Sequence, residues 1–451
     1  MAITDKEEGV WELEQVYNKI NQGGIWSYNA PIQLDLWGAN HAGGIGQNTT
    51  SPTDYSSPTQ IPGTTWSKFG LSKAYSSAVA VKTDGTLWTW GGPGYLLAQN
   101  NNVQYSSPTQ VGTDTTWSEP RGGWKHQACF KTDGSLWVWG DNSGGCLGQN
   151  QQGYPTVRYS SPIQISGTWS TSFQQFSAGT SATGGVKSDG TLWMWGHNGN
   201  GTLGLNAPTN AFKSSPTQVG TDTTWDKIEV GGYQCYGIKT NGTLWSWGYN
   251  NGGQLGLNEV GSPTRKSSPT QVGTDTTWAS VFNSFSSTVG ATKTDGTLWM
   301  WGNGAYGSLG ANLTGYRSSP IQVGTDTNWR IDDYIGASPA HSLASKTDGT
   351  LWGWGWNKRG ALGLNAPTNA SYSSPIQIGT DTTWEDFDGD AYTTIAKKTN
   401  GSVWTIGSNT YGQLGQNDTT QRSSPVQVFG ANSSTVIVAA AYNSNFATGQ
   451  L

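Results

Sequence analysis

The stretch Lys239-Thr240-Asn241-Gly242-Thr243-Leu244-Trp245-Ser246-Trp247-Gly248 decides the fold of this chain. An Asn-Gly pair reverses the chain, and a Leu-Trp-x-Trp-Gly strand follows it. Asn-Gly and Asp-Gly accept the positive φ angles of a type I′ turn, so they are a strong signal for a two-residue β-hairpin. The two tryptophans flank Ser246, which places both indoles on one face of the strand. The same pattern recurs along the chain and predicts a structure built from repeated hairpins.

The end of this hairpin strand marks a repeat of about 50 residues, the period expected for a propeller blade. Eight copies end at a glycine: Gly38, Gly91, Gly140, Gly196, Gly248, Gly302, Gly355 and Gly407. In each copy one asparagine and then Ser-Ser-Pro follow: Asn48, Asn100, Asn150, Asn206, Asn258, Asn312, Asn365 and Asn417. Each unit contains about four short strands separated by Gly-rich and Pro-containing turns. This organisation predicts an all-β fold, a closed β-propeller of eight four-stranded blades over residues 34–451.

The two ends of the chain indicate how the ring closes. The segment 34–38 is a hairpin strand without its partner, and the tail 442–451 resembles the strand that leads into a hairpin turn. We therefore expect the tail to pair with the first strand, which removes the exposed edges of an open array.

Composition excludes several classes of protein. The chain has 451 residues, 64 glycines and 25 tryptophans, and only 12% of its residues are charged. The tryptophans belong to the repeated positions, except for Trp11, Trp26, Trp124 and Trp356. A net charge of −5 gives no general footprint for nucleic acid. We therefore expect no nucleic-acid binding. No apolar run approaches the length of a membrane span and no signal-peptide pattern opens the chain, so we also expect no membrane insertion.

Residues 1–30 do not belong to the repeat and are predicted to be a separate attachment segment. Several apolar residues there follow helical spacing and define a candidate docking helix: Val10, Trp11, Leu13, Val16, Tyr17 and Ile20. Two interpretations stay open. The short amphipathic helix packs on the propeller itself, or it docks the protein on an assembly partner.

No catalytic constellation is recognisable in the sequence. The four histidines fall in different copies without metal-ligand spacing, and the three cysteines form neither a disulfide framework nor a zinc motif. Aspartates recur in Gly-Thr-Asp segments: Asp114, Asp222, Asp275, Asp326 and Asp381. One carboxylate per segment is too few for calcium, and Asp beside Thr favours an Asx-turn. We therefore predict a non-enzymatic protein without catalytic residues, metal or cofactor.

The residue before each Ser-Ser-Pro is always Tyr, Lys or Arg. These rim residues form a candidate recognition ring: Tyr55, Tyr105, Tyr159, Lys213, Lys266, Arg317, Tyr372 and Arg422. Tyr and Arg supply much of the binding energy at protein interfaces, and aromatic faces also stack on sugars. The alternative is structural: each side chain covers the loop of a neighbouring blade, with its stem packed and its head in water.

The segment Trp247-Gly248-Tyr249-Asn250-Asn251-Gly252-Gly253-Gln254-Leu255-Gly256 resembles the signature of the regulator of chromosome condensation (RCC1) repeat. His126 and His341 resemble the histidine that precedes the small-residue strand in that family. The resemblance covers residues 34–451 and implies a β-propeller, usually of seven blades, so seven blades plus one displaced unit is the alternative to eight. The founding member is a nucleotide-exchange factor that binds chromatin. The basic surface for chromatin is absent here, and we do not transfer that role.

The opening Gly9-x-Trp11-x-Leu13-x-x-Val16-Tyr17-x-Lys19-Ile20 is similar to the N-terminal segments of virion structural proteins of marine tailed phages. This resemblance predicts a virion component (a fibre, appendage or decoration protein) that docks by its N-terminus and presents a propeller face. Its partners would be proteins of a virion or surface assembly, or a host surface glycan. Two alternatives remain: a soluble RCC1-like regulator that binds a protein partner, and an extracellular or cell-surface lectin.

Overall fold

The computed structural model describes residues 33–50, 54–71, 76–151, 157–207, 211–261, 264–283, 287–331, 341–366, 368–389, 392–428, 435–441 and 444–445. Within these ranges the chain forms β-strands joined by loops and short 3-10 turns, and no α-helix. The predicted docking helix and the whole segment 1–30 lie outside the described residues.

Two strands, β1 (Gln33–Gly38) and β2 (Tyr55–Gln60), begin the described chain. Seven blades of consecutive, antiparallel strands follow. Blade 1 contains β3 (Trp66–Leu71), β4 (Ser77–Lys82), β5 (Leu87–Gly91) and β6 (Tyr105–Gln110). Blade 2 contains β7 (Trp117–Gly122), β8 (His126–Lys131), β9 (Leu136–Asp141) and β10 (Arg158–Ile165). Blade 3 contains β11 (Phe176–Ala178), β12 (Ala182–Val186), β13 (Leu192–His197) and β14 (Phe212–Gln218).

The remaining blades repeat this order. Blade 4 contains β15 (Trp225–Val230), β16 (Gln234–Lys239), β17 (Leu244–Gly248) and β18 (Lys266–Gln271). Blade 5 contains β19 (Trp278–Asn283), β20 (Thr288–Lys293), β21 (Leu298–Gly302) and β22 (Arg317–Gln322). Blade 6 contains β23 (His341–Ser345), β24 (Leu351–Trp356) and β25 (Ser371–Gln377), together with a bridge from Trp329 to Lys346, and residues 332–340 before β23 lie outside the described residues. Blade 7 contains β26 (Trp384–Gly389), β27 (Thr393–Lys398), β28 (Val403–Gly407) and β29 (Arg422–Gln427).

Single 3-10 turns follow the third strands or precede β11. They span His41–Gly43, Gly94–Leu96, Ser143–Gly145, Phe173–Gln175, Gly199–Gly201, Ala305–Gly307 and Lys358–Gly360.

The hairpin that was predicted from the sequence forms as expected. Trp245 lies opposite Gly237, and Trp247 lies opposite Cys235. A small residue opposite the first indole leaves room for the indole that begins the first strand of the same blade, because a Cβ on Gly237 would lie 2.6 Å from the ring of Trp225. Gly242 at the turn has φ +75, and a Cβ there would meet the Thr276 carbonyl oxygen at 2.1 Å. The turn therefore requires glycine both for its backbone conformation and for this close approach.

The second indole of each hairpin strand joins its blade to the preceding unit. Trp247 is fully buried, and its Nε1 donates a 2.8 Å hydrogen bond to the carbonyl oxygen of Thr202 in blade 3. Seven copies make this bond: Trp37 to Gln413, Trp90 to Gly44, Trp139 to Leu96, Trp195 to Cys146, Trp247 to Thr202, Trp301 to Gln254 and Trp354 to Ser308. The remaining copy has Ile406, which cannot donate. Each core thus lies between adjacent units, as expected for modules that cannot bury their apolar face alone.

The repeated asparagines have a structural role. All eight have a positive φ, between 48° and 60°, a conformation that Asn tolerates better than most residues. Each donates its backbone N–H to a serine carbonyl in the next unit: Asn48 to Ser106, Asn100 to Ser160, Asn150 to Ser214, Asn206 to Ser267, Asn258 to Ser318, Asn312 to Ser373, Asn365 to Ser423 and Asn417 to Ser56. The last of these bonds connects blade 7 to β2.

The two ends of the chain form a further sheet, the terminal sheet, with the order β2-β1-β30-β31, where β30 is Thr435–Ala441 and β31 is Ser444–Asn445. Here β1 pairs with β30 in parallel, with Leu36 opposite Val438. The prediction of eight four-stranded blades is therefore not supported, since seven blades follow the antiparallel order of consecutive strands and the terminal sheet departs from it. The strand that pairs with β1 is also not the predicted tail 442–451, most of which lies outside the described residues. The stretch 435–441 is apolar and rich in β-branched residues, whereas 442–451 is polar, which favours the former as a strand.

Candidate functional site

The topology gives the propeller two different faces. The hairpin face contains the Asp-Gly and Asn-Gly turns together with the Gly-Thr-Asp segments. The loop face contains the 3-10 turns that follow the hairpin strands and the loops of variable sequence before the Ser-Ser-Pro strands. These features lie on opposite sides because β17, for example, begins just after the turn at Gly242 and ends at Gly248, where the variable loop begins.

On the hairpin face, lysine side chains are enclosed by aromatic rings. The Nζ of Lys239 lies 4.8 Å and 3.9 Å from the ring centres of Trp225 and Trp245, and 3.0 Å from Asp222 Oδ2. Five lysine–aspartate pairs have this arrangement: Lys131–Asp114, Lys239–Asp222, Lys293–Asp275, Lys346–Asp326 and Lys398–Asp381. These are the five aspartates considered above as calcium ligands, and each is ion-paired with a lysine instead.

The local geometry confirms the predicted Asx-turn at Asp114. Its Oδ1 accepts hydrogen bonds from the backbone N–H and the hydroxyl of Thr116, at 2.9 Å and 2.7 Å. The hydrogen bonds from Lys131 and Thr116 lower the pKa of Asp114 to about 2. Within the described ranges, no group of three or more His, Cys, Asp or Glu side chains is arranged to hold a metal ion.

The eight rim residues occupy equivalent positions on the loop face. Each lies opposite the Trp-Gly glycine of the neighbouring strand: Tyr55–Gly38, Tyr105–Gly91, Tyr159–Gly140, Lys213–Gly196, Lys266–Gly248, Arg317–Gly302, Tyr372–Gly355 and Arg422–Gly407. Glycine is required there because its φ is positive and because a Cβ on Gly248, for example, would lie 2.3 Å from the carbonyl oxygen of Tyr233. Each repeat unit therefore contributes one rim residue, and all eight rim residues have the same backbone position opposite a glycine.

Most rim side chains bind their own variable loop. The Tyr105 hydroxyl lies 3.1 Å from Asn101 Nδ2, and the Tyr159 hydroxyl lies 2.6 Å from Gln151 Oε1. Lys266 pairs with Glu259 at 2.8 Å, and Arg422 pairs with Asp418 at 2.6 Å. Arg317 donates to the carbonyl oxygen of Tyr316 at 2.8 Å. These contacts are local, within one repeat, and a recognition role for the ring remains a prediction.

The loop face also carries every large hydrophobic side chain that is strongly exposed in the described part of the chain. These residues are Val103, Phe212, Tyr233, Val260, Tyr306 and Tyr316, with exposed fractions between 41% and 61%. All six lie in the variable loops, at the start of a Ser-Ser-Pro strand, in a 3-10 turn or in a connection between first and second strands. This asymmetry was not recognisable in the sequence, because these residues do not occupy one repeated position.

Three neighbouring blades contribute to an aromatic–cation cluster on this face, formed by Tyr306, Trp356, Lys358, Arg359 and Tyr392. The rings of Tyr306 and Trp356 are stacked at 4.5 Å with an interplanar angle of 11°. The Nζ of Lys358 lies 4.4 Å from the Trp356 ring centre and 4.6 Å from that of Tyr392. The guanidinium of Arg359 lies 5.6 Å from the Tyr392 ring. One signal was visible in the sequence, since Trp356 is a tryptophan outside the repeated positions.

The first strands of adjacent blades face one another, and their polar side chains connect the blades. Lys227 Nζ donates to the carbonyl oxygen of Ala279 at 2.6 Å, and Asn283 Nδ2 donates to Glu229 Oε1 at 3.2 Å. Arg330 Nη1 donates to the carbonyl oxygen of Glu385 at 2.7 Å. These residues were not recognised from the sequence, although charged side chains recur shortly after the tryptophan that begins each unit.

Two buried histidines and two buried cysteines are held in their neutral forms. Burial lowers the pKa of both His126 and His341 to about 4, and His126 Nε2 lies 3.1 Å from the Thr183 hydroxyl. Burial raises the pKa of Cys129 and Cys146 to about 12.

A cavity of about 410 Å³ lies between blades 4 and 5, beside the Lys266–Glu259 pair. Among the described helical turns, none is long and apolar enough to cross a membrane.

Comparison with known families identifies the repeat. The family described as the regulator of chromosome condensation (RCC1) repeat matches residues 133–186, 189–238, 241–283, 348–387 and 400–447, more than half of the chain. A second RCC1 repeat family matches residues 334–361. The chain belongs to the RCC1 repeat family. This result confirms the resemblance noted in the sequence. None of the matched ranges reaches residues 1–30, and the similarity of that segment to phage proteins remains a prediction.

Two plant relatives and one solved structure show what this RCC1-repeat protein is similar to. The ultraviolet-B receptor UVR8 of Arabidopsis thaliana is 26% identical over 266 residues, which cover 58% of this chain and 59% of UVR8. The mitochondrial RCC1 domain-containing protein RUG3 of the same plant is 30% identical, over 74% of this chain and 79% of RUG3. The chain thus spans less than two thirds of UVR8.

The structure of Prp20p from Saccharomyces cerevisiae has a TM-score of 0.58 with 17% identity, over 78% of this chain and 86% of Prp20p. That protein is described with its binding properties to Gsp1p and histones. At this identity, the likeness shows a shared propeller fold.

Proposed function

We propose that this RCC1-repeat protein is a non-enzymatic propeller that recognises a partner protein through its loop face. The observation that carries the proposal is the one-sided distribution of the six exposed hydrophobic residues. Exposed aromatic side chains on variable loops over a rigid scaffold are typical of binding surfaces. On the hairpin face, by contrast, the lysines and the Gly-Thr-Asp carboxylates are engaged with each other. The description of Prp20p as a binder of other proteins supports the same class of function.

A binding comparison between matched variants tests this proposal. The protein is immobilised, and proteins of its own source are captured and quantified by mass spectrometry. The double variant Tyr233→Ser/Tyr316→Ser alters the loop face, and Asp84→Asn/Asp133→Asn alters the hairpin face. We expect the loop-face variant to lose partners that the hairpin-face variant retains. The opposite pattern would overturn the proposal.

We also propose that the terminal sheet completes the ring as an eighth, irregular blade. Two hydrogen bonds join it to blade 7, from Trp37 to Gln413 and from Asn417 to Ser56. Two equivalent bonds join it to blade 1, from Trp90 to Gly44 and from Asn48 to Ser106. These are the bonds that link each pair of consecutive blades. The cross-linking experiment at the end of the Discussion tests this arrangement.

Attachment through residues 1–30 to a virion or surface assembly is a further proposal. It is supported by the helical pattern of Val10, Leu13, Val16 and Ile20 and by the absence of the repeat from this segment. Deletion of residues 1–30 should leave a folded propeller that is no longer incorporated into particles. An unfolded product, or normal incorporation, would contradict the attachment role. Binding to a glycan array that is lost in Tyr105→Ala/Arg317→Ala would instead favour the lectin alternative.

A further inference from the structure

The aromatic–cation cluster has an arrangement that the repeat does not require. Tyr306 lies in the 3-10 turn of blade 5, Trp356 ends β24, Lys358 and Arg359 lie in the turn of blade 6, and Tyr392 precedes β27. Trp356 is the tryptophan at a position that the other copies fill with Ala39, Gly92, Asp141, His197, Tyr249, Asn303 and Ser408. Among the described residues, a stacked Tyr–Trp pair beside two cations occurs on the part of the loop face formed by blades 5 to 7.

Two members of the cluster occupy a costly backbone conformation. Tyr306 has φ +58 and Arg359 has φ +55, at the middle of their 3-10 turns. In other turns this position is taken by Ala42, Gly144 or Asn200, of which glycine and asparagine adopt a left-handed conformation more easily. A bulky residue costs roughly 1 kcal/mol relative to glycine there. Burial does not offset this cost for Tyr306, which is 48% exposed. Strained residues with exposed side chains are typical of binding sites.

The cations of the cluster are held by neutral groups. Lys358 Nζ donates to the Tyr392 hydroxyl at 3.1 Å, and Arg359 Nη1 donates to the hydroxyls of Ser408 and Thr410 at 3.0 Å and 2.9 Å. No carboxylate of the described residues lies within 4.0 Å of either side chain. An ammonium has three donors and a guanidinium has five, so donors remain on both groups. Carboxylates and phosphates are the ligands that form strong, charge-assisted hydrogen bonds with such donors.

We propose that the aromatic–cation cluster is a binding site for a short acidic peptide segment of a partner protein. Two carboxylates of the segment bind Lys358 and Arg359, and an apolar side chain next to them packs on the exposed ring of Tyr306. Trp356 holds Tyr306 and Lys358 on its ring. Two cations on a protein of net charge −5 are too few for a run of nucleic-acid phosphates. This inference rests on the proposed function and narrows it to one part of the loop face.

Fluorescence anisotropy with a labelled peptide tests the site in the full-length protein. The probe is a 12-residue peptide of alternating Glu and Phe, and the same peptide with Lys in place of Glu is the charge control. Two variants remove the proposed ligand contacts: Tyr306→Gly and Lys358→Gln/Arg359→Gly. The changes at 306 and 359 introduce glycine, which adopts the positive φ of these positions without strain. Asn200→Gly, at the same turn position in blade 3, is the matched control. Thermal unfolding verifies that each variant is folded.

We expect binding of the Glu peptide to weaken at least tenfold in Lys358→Gln/Arg359→Gly and three- to tenfold in Tyr306→Gly. Asn200→Gly should bind as the wild type does, and the Lys peptide should not bind. Unchanged binding in the cluster variants, or no binding to the wild type, would overturn the inference. Tighter binding of heparin or duplex DNA through the same residues would also overturn it. The Tyr233→Ser/Tyr316→Ser capture experiment tests the proposed function separately, because those residues lie outside the cluster.

Discussion

The indole Nε1 of Trp37 donates a 2.9 Å hydrogen bond to the carbonyl oxygen of Gln413, 376 residues further along the chain. The same bond joins consecutive blades, as between Trp247 and Thr202. In all seven copies of this contact, the acceptor of the indole N–H is a carbonyl oxygen of the preceding unit of the ring. The contact between the two ends of the chain is therefore chemically equivalent to the contacts inside it.

Replacing Trp37 with phenylalanine tests this equivalence. The change removes the hydrogen bond and leaves unfilled volume in a fully buried site, which should lower the free energy of unfolding by about 2–4 kcal/mol. Trp90→Phe is the matched control, because Trp90 makes the same bond to Gly44 at 3.1 Å. Urea unfolding followed by fluorescence measures both changes. A negligible effect of Trp37→Phe beside a large effect of Trp90→Phe would show that the ends of the chain do not meet in this way.

The lysines between indoles are predicted to stabilise the blades. Lys293 Nζ lies 4.7 Å and 4.0 Å from the rings of Trp278 and Trp299, and 2.9 Å from Asp275. Lys293→Met keeps the apolar stem and removes both the cation–π contacts and the ion pair, at an expected cost of about 1–3 kcal/mol. Lys187→Met is the control, since the segment Ser166-Gly167-Thr168 before Trp169 has no aspartate and only the cation–π contacts are lost. Chemical denaturation should give a smaller loss for the Lys187 variant, and equal losses would refute a contribution from Asp275.

Stability should decrease when the pH falls from 7 to 5. His126 and His341 have folded pKa values of about 4, below the ordinary 6.5, because burial disfavours the charged ring. Between these values the unfolded chain binds more protons than the folded one, so the stabilisation is complete above pH 6.5 and is lost toward pH 4. The expected loss at pH 5 is on the order of 1–2 kcal/mol per histidine.

Urea unfolding at pH 7 and pH 5 measures this change, and the carboxylates contribute little there because they titrate at lower pH. The variant His126→Asn/His341→Asn should show a weaker dependence on pH. A wild-type stability that is constant or higher at pH 5 would contradict the burial of neutral histidines.

The repeated asparagine should tolerate glycine and reject valine. Asn206 has φ +51, and its backbone N–H donates to the carbonyl oxygen of Ser267 at 2.7 Å. Asn206→Gly keeps this conformation and should change the free energy of unfolding by less than about 1 kcal/mol. A β-branched side chain disfavours it, so Asn206→Val should cost about 1–2 kcal/mol more. Equal thermal stability of the two variants would show that the positive φ at position 206 is not the reason for the asparagine there.

Local patterns were sufficient to predict the blades. The Asn-Gly turn, the paired indoles and the small residue opposite them are all short-range features, and the hairpins formed as expected. The parallel pairing of β1 with β30 was not predicted. It depends on which of two C-terminal stretches, 435–441 or 442–451, forms the more stable strand beside β1, and β1 is distant from both in the sequence. The aromatic–cation cluster was also missed, because Tyr306, Trp356 and Tyr392 come together only when three blades are in place. Only the position of Trp356 outside the repeat indicated it.

Disulfide cross-linking across the two ends of the chain tests most directly whether the ring is closed. Ser57 Oγ lies 3.3 Å from Asn417 Oδ1 at this junction, and Ser319 Oγ lies 3.3 Å from Asn258 Oδ1 between blades 4 and 5. The native cysteines Cys129, Cys146 and Cys235 are buried, so mild oxidation reports on the introduced pairs. We predict that Ser57→Cys/Asn417→Cys cross-links as completely as Ser319→Cys/Asn258→Cys, as measured by mass spectrometry of the linked peptides. Cross-linking of the internal pair alone would contradict the closed ring.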